Sequence, residues 1–134
     1  MSVKYVDSNV FIYPVLYTDA KAKRCGRILQ DIISQEFQAV TSALTWDEFT
    51  YVVMRTLGRK TAAEQSGKLL AFPHLLFMEV DTKVLQEAHR LINTHNLRPR
   101  DAIHLATALL HKADCVISDD SDFDKAGIIH RQPA

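Results

Sequence analysis

Val3-Lys4-Tyr5-Val6-Asp7 is a β-branched and aromatic run that stops on an acid, and it reads as a short buried strand. The pattern returns in Cys115-Val116-Ile117-Ser118, which runs straight into Asp119-Asp120. Two further strand candidates are Gln38-Ala39-Val40-Thr41 and Leu75 to Val80, and Ile128-Ile129 suggests a short last one. These runs are mostly apolar and do not alternate polar with apolar residues. Strands of that kind belong to parallel sheets covered by helices on both faces.

The segments between them carry the helical period. Asn9 to Tyr17 is apolar and reads as a helix that Pro14 bends or limits. From Asp19 to Glu36 the apolar positions Cys25, Ile28, Leu29, Ile32 and Ile33 mark one face of an amphipathic helix. Thr45 and Glu48 form a capping-box pair for a helix running through Phe49, Val52 and Val53 to Leu57, with Gly58 as its stop. Thr61 to about Phe72 is the next helix, closed by Pro73. Asp81 or Thr82 caps a helix with Val84, Leu85, Ala88, Leu91 and Ile92 on one face. After the turn Asn96 to Pro99, a helix from Arg100 to Lys112 places Ala102, Leu105, Ala106, Leu109 and Leu110 inward. Strands alternating with helices predict a three-layer α/β/α sandwich with a mostly parallel sheet, doubly wound in the order 3-2-1-4-5.

The chain has 134 residues, which is one domain, 1–134, without repeats, low-complexity stretches or linkers. Lys plus Arg and Asp plus Glu are 16 each, so the net charge is +0 and no global electrostatic grip on nucleic acid is advertised. Nucleic-acid binding would need a local patch or a metal. Cys25 and Cys115 have no metal-ligand spacing. Two thiols, no signal peptide and no apolar run near ~18 residues point to a soluble, cytoplasmic setting without a membrane role.

On the predicted frame the acids gather. Asp7 ends the first strand, Glu48 begins the helix after the second, and Asp101 begins the helix before the fourth. Asp119, Asp120, Asp122 and Asp124 follow the fourth strand. All would lie at the carboxyl edge of the sheet, where open α/β sheets place their sites. Each has a plainer reading: Asp7 as a helix cap, Glu48 as half of the capping box, Asp101 as a complement to a helix dipole, and the acidic run as a solvated turn. Their convergence favours a site. Crowded carboxylates raise one another's pKa, and a hard divalent cation relieves the repulsion. Oxygen ligands without a Cys or His set suit Mg²⁺ or Mn²⁺, and such a centre suits phosphodiester hydrolysis.

These segments resemble the motifs of PIN-domain nucleases. Asp7-Ser8-Asn9-Val10-Phe11 is similar to their opening, and Thr41 to Phe49 to the second motif, whose acid falls on Glu48. Arg100-Asp101-Ala102-Ile103-His104-Leu105-Ala106-Thr107-Ala108 resembles the third motif, and Ile117 to Asp124 the last. Val3 to Ile129 is covered. The resemblance implies a small Mg²⁺- or Mn²⁺-dependent endoribonuclease most like the VapC toxins of VapBC toxin–antitoxin pairs. Its catalytic and metal-binding acids would be Asp7, Glu48, Asp101 and Asp120, with Asp122 auxiliary. Ser118 takes the family's small polar position, which makes Asp119 the variable residue, and Ser8 and Asn9 would hold the Asp7 carboxylate. It also implies an RNA substrate and an antitoxin partner. We expect a homodimer, and inhibition by a partner's basic side chain entering the acidic rim, as the family's antitoxin does.

Other residues are open between two readings. Lys21, Lys23, Arg24 and Arg27 are a solvated helix face or RNA-phosphate contacts. Arg98 and Arg100 would bind phosphate or offset the carboxylates beside them. His104, one turn after Asp101, reads more readily as structural than as a site residue. Trp46, Phe49 and Tyr51 suit a core or dimer contact better than base stacking. A phosphorelay receiver would want an acidic pair after strand 1 and a late Lys, and a haloacid-dehalogenase-type phosphatase would want Asp-x-Asp; Asp7-Ser8-Asn9 is neither. The remaining alternative is a non-catalytic PIN-like interaction module with a vestigial acidic rim, which retention of all four acids disfavours.

Overall fold

A computed structural model describes residues 1–134. Its five strands are β1 (Val3–Val6), β2 (Gln38–Ser42), β3 (Leu75–Met78), β4 (Cys115–Ile117) and β5 (His130–Gln132). They form one sheet in the order β3-β2-β1-β4-β5, every neighbouring pair parallel. This is the doubly wound order expected from the sequence. The helices are α1 (Ser8–Leu16), α2 (Ala20–Ile33), α3 (Ala43–Leu57), α4 (Arg59–Leu70), α5 (Thr82–Thr94) and α6 (Pro99–Leu110), with a 3-10 turn over Ser121–Ala126. No helix is long and apolar enough to cross a membrane.

Strand alternation divides the core in two. Val6, Ala39, Cys115 and Ile117 face one layer, where they pack with Phe11, Cys25, Ile32, Phe49, Val53 and Leu69 from α1 to α4. Tyr5, Val40 and Val116 face the other, against Val84, Ala88 and Leu91 of α5 and Ala102, Leu105 and Ala106 of α6. Over the central strands β1, β2 and β4 both faces are largely covered, which is why they read as apolar runs; the edge strands β3 and β5 are partly exposed. The same alternation sends Tyr5 toward α6, with a consequence for the site.

Several boundaries differ from the sequence reading. Ser42, not Thr45, caps α3: its hydroxyl accepts the Leu44 N–H, and the helix starts directly after β2. The Thr45 hydroxyl instead pairs with that of Thr41 at 2.7 Å, inside the core. The capping box therefore does not form, and Glu48 sits in the second turn of α3. Gly58 does stop α3, at φ +90°, and α4 begins at the next residue. Pro14 lies inside α1, which ends two residues later. The last strand is His130–Gln132 rather than Ile128-Ile129; Ile128 is exposed and Ile129 packs on the α5–α6 layer. Leu85, Ile92 and Leu110 are exposed, so the apolar stripes of α5 and α6 are wider than the surface the sheet covers.

Burial separates these leucines energetically. Leu105 is fully enclosed and Leu85 is 49% exposed. In urea melts, Leu105→Ala is expected to lose about 3 kcal/mol, the usual cost of a core cavity, whereas Leu85→Ala should stay within about 0.5 kcal/mol.

Candidate active site

β1 and β4 are neighbours at the point where the strand order reverses, so their carboxyl ends open a crevice between them. The Asp7 N–H continues the ladder to the Ile117 carbonyl at 3.0 Å, which fixes the acid beside the end of β4. Asp7 caps α1 and lies beside Glu48 and His104. Its Oδ1 accepts the Ser8 N–H at 2.7 Å, and its Oδ2 accepts the Ser118 hydroxyl at 2.6 Å and the Asn9 amide at 3.3 Å. Ser8, Asn9 and Ser118 thus all hold the Asp7 carboxylate. Ser118 Oγ also accepts the Asp120 N–H at 2.9 Å, and Asn9 Oδ1 accepts the Asp119 N–H at 3.4 Å. One small network sets β1, α1 and the acidic loop in register.

The loop sorts its acids by direction. Asp120 caps the 3-10 turn by accepting the Asp122 N–H at 2.9 Å, and oxygens of Asp101, Asp120 and Asp122 lie within 4.8 Å of one another. Asp119 points away, to Lys21 Nζ at 2.7 Å and the Tyr13 hydroxyl at 3.4 Å. Asp124 is drawn to Arg131 through two bonds of 3.1 Å. A cleft of about 400 Å³ opens over the site, lined by Glu48, Arg98, Pro99, Arg100, Asp101 and Asp120. Of the basic residues, Arg98 and Arg100 border this cleft and are exposed. Lys21 is engaged with Asp119, with its ammonium 4.9 Å from the centre of the Tyr13 ring. Lys23 is solvent-facing, and Arg24 and Arg27 line a different cleft beside Gln132 and Pro133.

Glu48 is hydrogen-bonded to a residue that reads in the sequence as structural rather than as a site residue. His104 Nε2 lies 2.6 Å from Glu48 Oε1 and 3.6 Å from Asp7 Oδ1. Its Nδ1 pairs with the Tyr5 hydroxyl, which accepts the Ser42 N–H at 3.2 Å. Tyr5 was legible only as a strand residue. The one signal for His104 was its position three residues after Asp101, on the same side of a helix. Trp46 and Tyr51 are exposed on α3, while Phe49 is buried.

The charges fall into two groups. Burial alone would lower the His104 pKa, but the Glu48 hydrogen bond and the charges of Asp7, Glu48 and Asp101 outweigh it and raise it. Burial likewise pushes Glu48 up, and the hydrogen bond and charge of His104, together with Ser8 and Arg100, more than reverse this, leaving it below the usual range. Asp101 has no such partner. Burial, then the charges of Asp120 and Asp7, push its pKa up to about 6. An all-oxygen trio in which burial and the neighbouring charges raise the pKa of one member fits a hard divalent cation.

A family model for the PIN domain matches residues 4–129. The chain belongs to the PIN domain family. No curated protein sequence matches it. Among solved structures, this PIN domain is similar to VapC20 of Mycobacterium tuberculosis, described as a sarcin–ricin-loop-cleaving toxin, with 17% identity, TM-score 0.78, and 94% and 96% of the two chains covered. It is also similar to a chain of the DNA-bound VapBC of Salmonella typhimurium, with 14% identity, TM-score 0.75, and 99% and 98% covered. A third is a chain of a toxin–antitoxin complex from Klebsiella pneumoniae, with 22% identity, TM-score 0.67, and 96% and 95% covered. At these identities the likeness is one of fold, and this PIN domain shares the VapC fold over nearly its whole length.

The state of Asp101 has a measurable consequence for stability. Its folded pKa of about 6 lies above the ordinary 3.8, so the ionised group opposes folding. That cost is absent below about pH 4, grows between about pH 4 and 6, and is constant above. With a chelator present, Asp101→Asn should therefore gain about 1 kcal/mol over the parent at pH 8, a figure reduced for solvent screening of a half-buried group, and nothing at pH 4. Paired thermal melts across that range check it.

Proposed function

We propose that the chain is a metal-dependent endoribonuclease and the toxin of a toxin–antitoxin pair. The carrying observation is the trio of Asp101, Asp120 and Asp122, with Lys125 on Asp122 as its one ion pair, beside Asp7 and Glu48 and next to one open cleft, in a PIN domain. The VapC20 likeness supports RNA as the substrate. In this reading Mg²⁺ or Mn²⁺ is held by carboxylates drawn from Asp7, Glu48, Asp101 and Asp120, with Asp122 in support. The bound ion would supply Lewis-acid stabilisation of phosphate charge and a more acidic water.

The chain's own groups do the rest. Ser8, Asn9 and Ser118 orient Asp7 so that its charge faces the crevice. Arg98 and Arg100 on the cleft border contact the phosphates flanking the scissile bond and offset the site's negative potential. The water oxygen forms a new P–O bond as the bond to the leaving oxygen breaks; the water gives up a proton to solvent and the leaving oxygen takes one from it. Lys23 and Arg24 are outlying phosphate contacts, and Lys21 acts on the loop through Asp119. The protein works in the cytoplasm as a homodimer, for which Trp46 and Tyr51, 38% and 58% exposed on α3, are apolar surface suited to a second copy. The antitoxin inhibits by placing a basic side chain among the carboxylates, and the complexes from Salmonella typhimurium and Klebsiella pneumoniae support such a partner.

The experiment is cleavage of a mixed RNA pool with Mg²⁺ or Mn²⁺ against a chelator control. Asp7→Asn and Asp120→Asn should each lose roughly 10²-fold or more, the scale of removing one essential electrostatic group, while Asp119→Asn stays within about tenfold. Cleavage that survives both chelator and Asp7→Asn would reject the proposal.

A further inference from the structure

The site acids differ in what holds them. Asp7 and Asp120 each accept a backbone N–H, so their directions are set by the main chain. Glu48 has no backbone donor. It sits in the second turn of α3 on a side chain with more rotamers to lose, and besides the Ser8 hydroxyl its partner is His104. The His104 ring is 1% exposed and packs edge-on between Tyr5, at 5.7 Å between ring centres, and Phe123, at 6.4 Å. Nδ1 faces the Tyr5 hydroxyl in the core, and Nε2 faces a carboxylate, which can only accept. Nε2 therefore carries a hydrogen in either charge state of the ring, and neither nitrogen offers a free lone pair to a cation.

We infer that His104 is a positioning residue: its Nε2–H holds the Glu48 carboxylate in place, and the Tyr5 hydroxyl braces the ring from behind. The device spans four elements. The Ser42 N–H at the end of β2 donates to Tyr5 of β1, Tyr5 pairs with His104 of α6, and His104 donates to Glu48 of α3. A rigid sheet residue thus fixes a flexible side chain on a helix of the opposite layer. Asp7 Oδ1 lies 3.6 Å from the same nitrogen, beyond hydrogen-bond range, so the Nε2–H is committed to Glu48. The kinetic consequence rests on the nuclease reading above; the positioning itself does not.

Two near-isosteric substitutions separate positioning from packing. In His104→Gln the amide NH₂ reaches the Nε2 position and can still donate to Glu48. In His104→Asn it reaches only the Nδ1 position, toward Tyr5. The expected result is a kcat loss of about 10–100-fold in His104→Asn with KM unchanged, and a loss within about threefold in His104→Gln. Side-chain relaxation of the Glu48 methylene groups by NMR, without RNA or metal, should show a loss of order in His104→Asn and near-parent order in His104→Gln. Tyr5→Phe removes one hydroxyl from an otherwise intact core and carries the test if His104→Asn does not fold. It should loosen Glu48 measurably and lower kcat with KM unchanged. Equal Glu48 order in the folded variants and the parent overturns the inference, as does parent-level kcat in His104→Asn or Tyr5→Phe. A parent that cuts no RNA, but whose Glu48 loosens in His104→Asn or Tyr5→Phe, would sink the nuclease reading and leave the positioning role standing.

Discussion

Negative charge crowded at one end of a parallel sheet is the constraint that organises this molecule. Asp7, Glu48, Asp101 and the pair Asp120 and Asp122 come from four segments of the chain, yet their carboxylates converge near the β1–β4 crevice. Left to themselves such groups would repel and take up protons. The fold answers differently on the two sides. Asp7 is surrounded by donors from Ser8, Asn9 and Ser118, and Glu48 is paired with His104. Asp101, Asp120 and Asp122 are brought together without an equivalent cation among them apart from Lys125, 3.2 Å from Asp122. The repulsion that raises Asp101 is thus concentrated on the side that opens to the cleft.

The acidic loop illustrates how alternate ion pairs select a site residue. Asp119 and Asp120 are adjacent in sequence and chemically alike, and both backbone amides are tied to the β1–β4 network. Their side chains part because Lys21 and Tyr13 take Asp119 toward α1 and α2, while Asp120 caps the turn that presents Asp122. Arg131 removes Asp124 in the same way and also donates to the Ser118 carbonyl at 3.2 Å, tying the loop to β5. A basic residue on the surface can therefore shape the site without touching a substrate, by drawing a competing carboxylate out of it.

The buried polar chain from Ser42 through Tyr5 and His104 to Glu48 is an unusual investment for a small core. Buried polar groups are costly unless partnered, and here the ring nitrogens and the phenol oxygen are all satisfied. It also explains why Tyr rather than an aliphatic residue occupies the middle of β1. Thr41 and Thr45 complete the polar seam: their hydroxyls bond to each other, and Thr41 donates to the Val6 carbonyl at 2.7 Å. The seam joins β1, β2 and α3 where a looser apolar contact would let α3 slide.

The sequence by itself determined the architecture, because apolar strands and amphipathic helices in strict alternation leave few ways to bury both sheet faces. It also brought Asp7, Asp101 and the Asp119–Asp124 run to one edge, since each adjoins an element end whose direction follows from the winding. Sequence reasoning misplaced the start of α3 because Ser42 and Thr45 are both good cap residues, and only packing against Thr41 draws Thr45 into the core. It overextended the apolar faces of α5 and α6, because a period cannot reveal how wide a strip the sheet covers. The family register already selects Asp120 over Asp119; what draws Asp119 away, and that a strand tyrosine meets a helix histidine beside Glu48, were decided by the tertiary structure alone. Those outcomes depend on side chains distant in sequence meeting at hydrogen-bond range, and no local pattern records such a meeting.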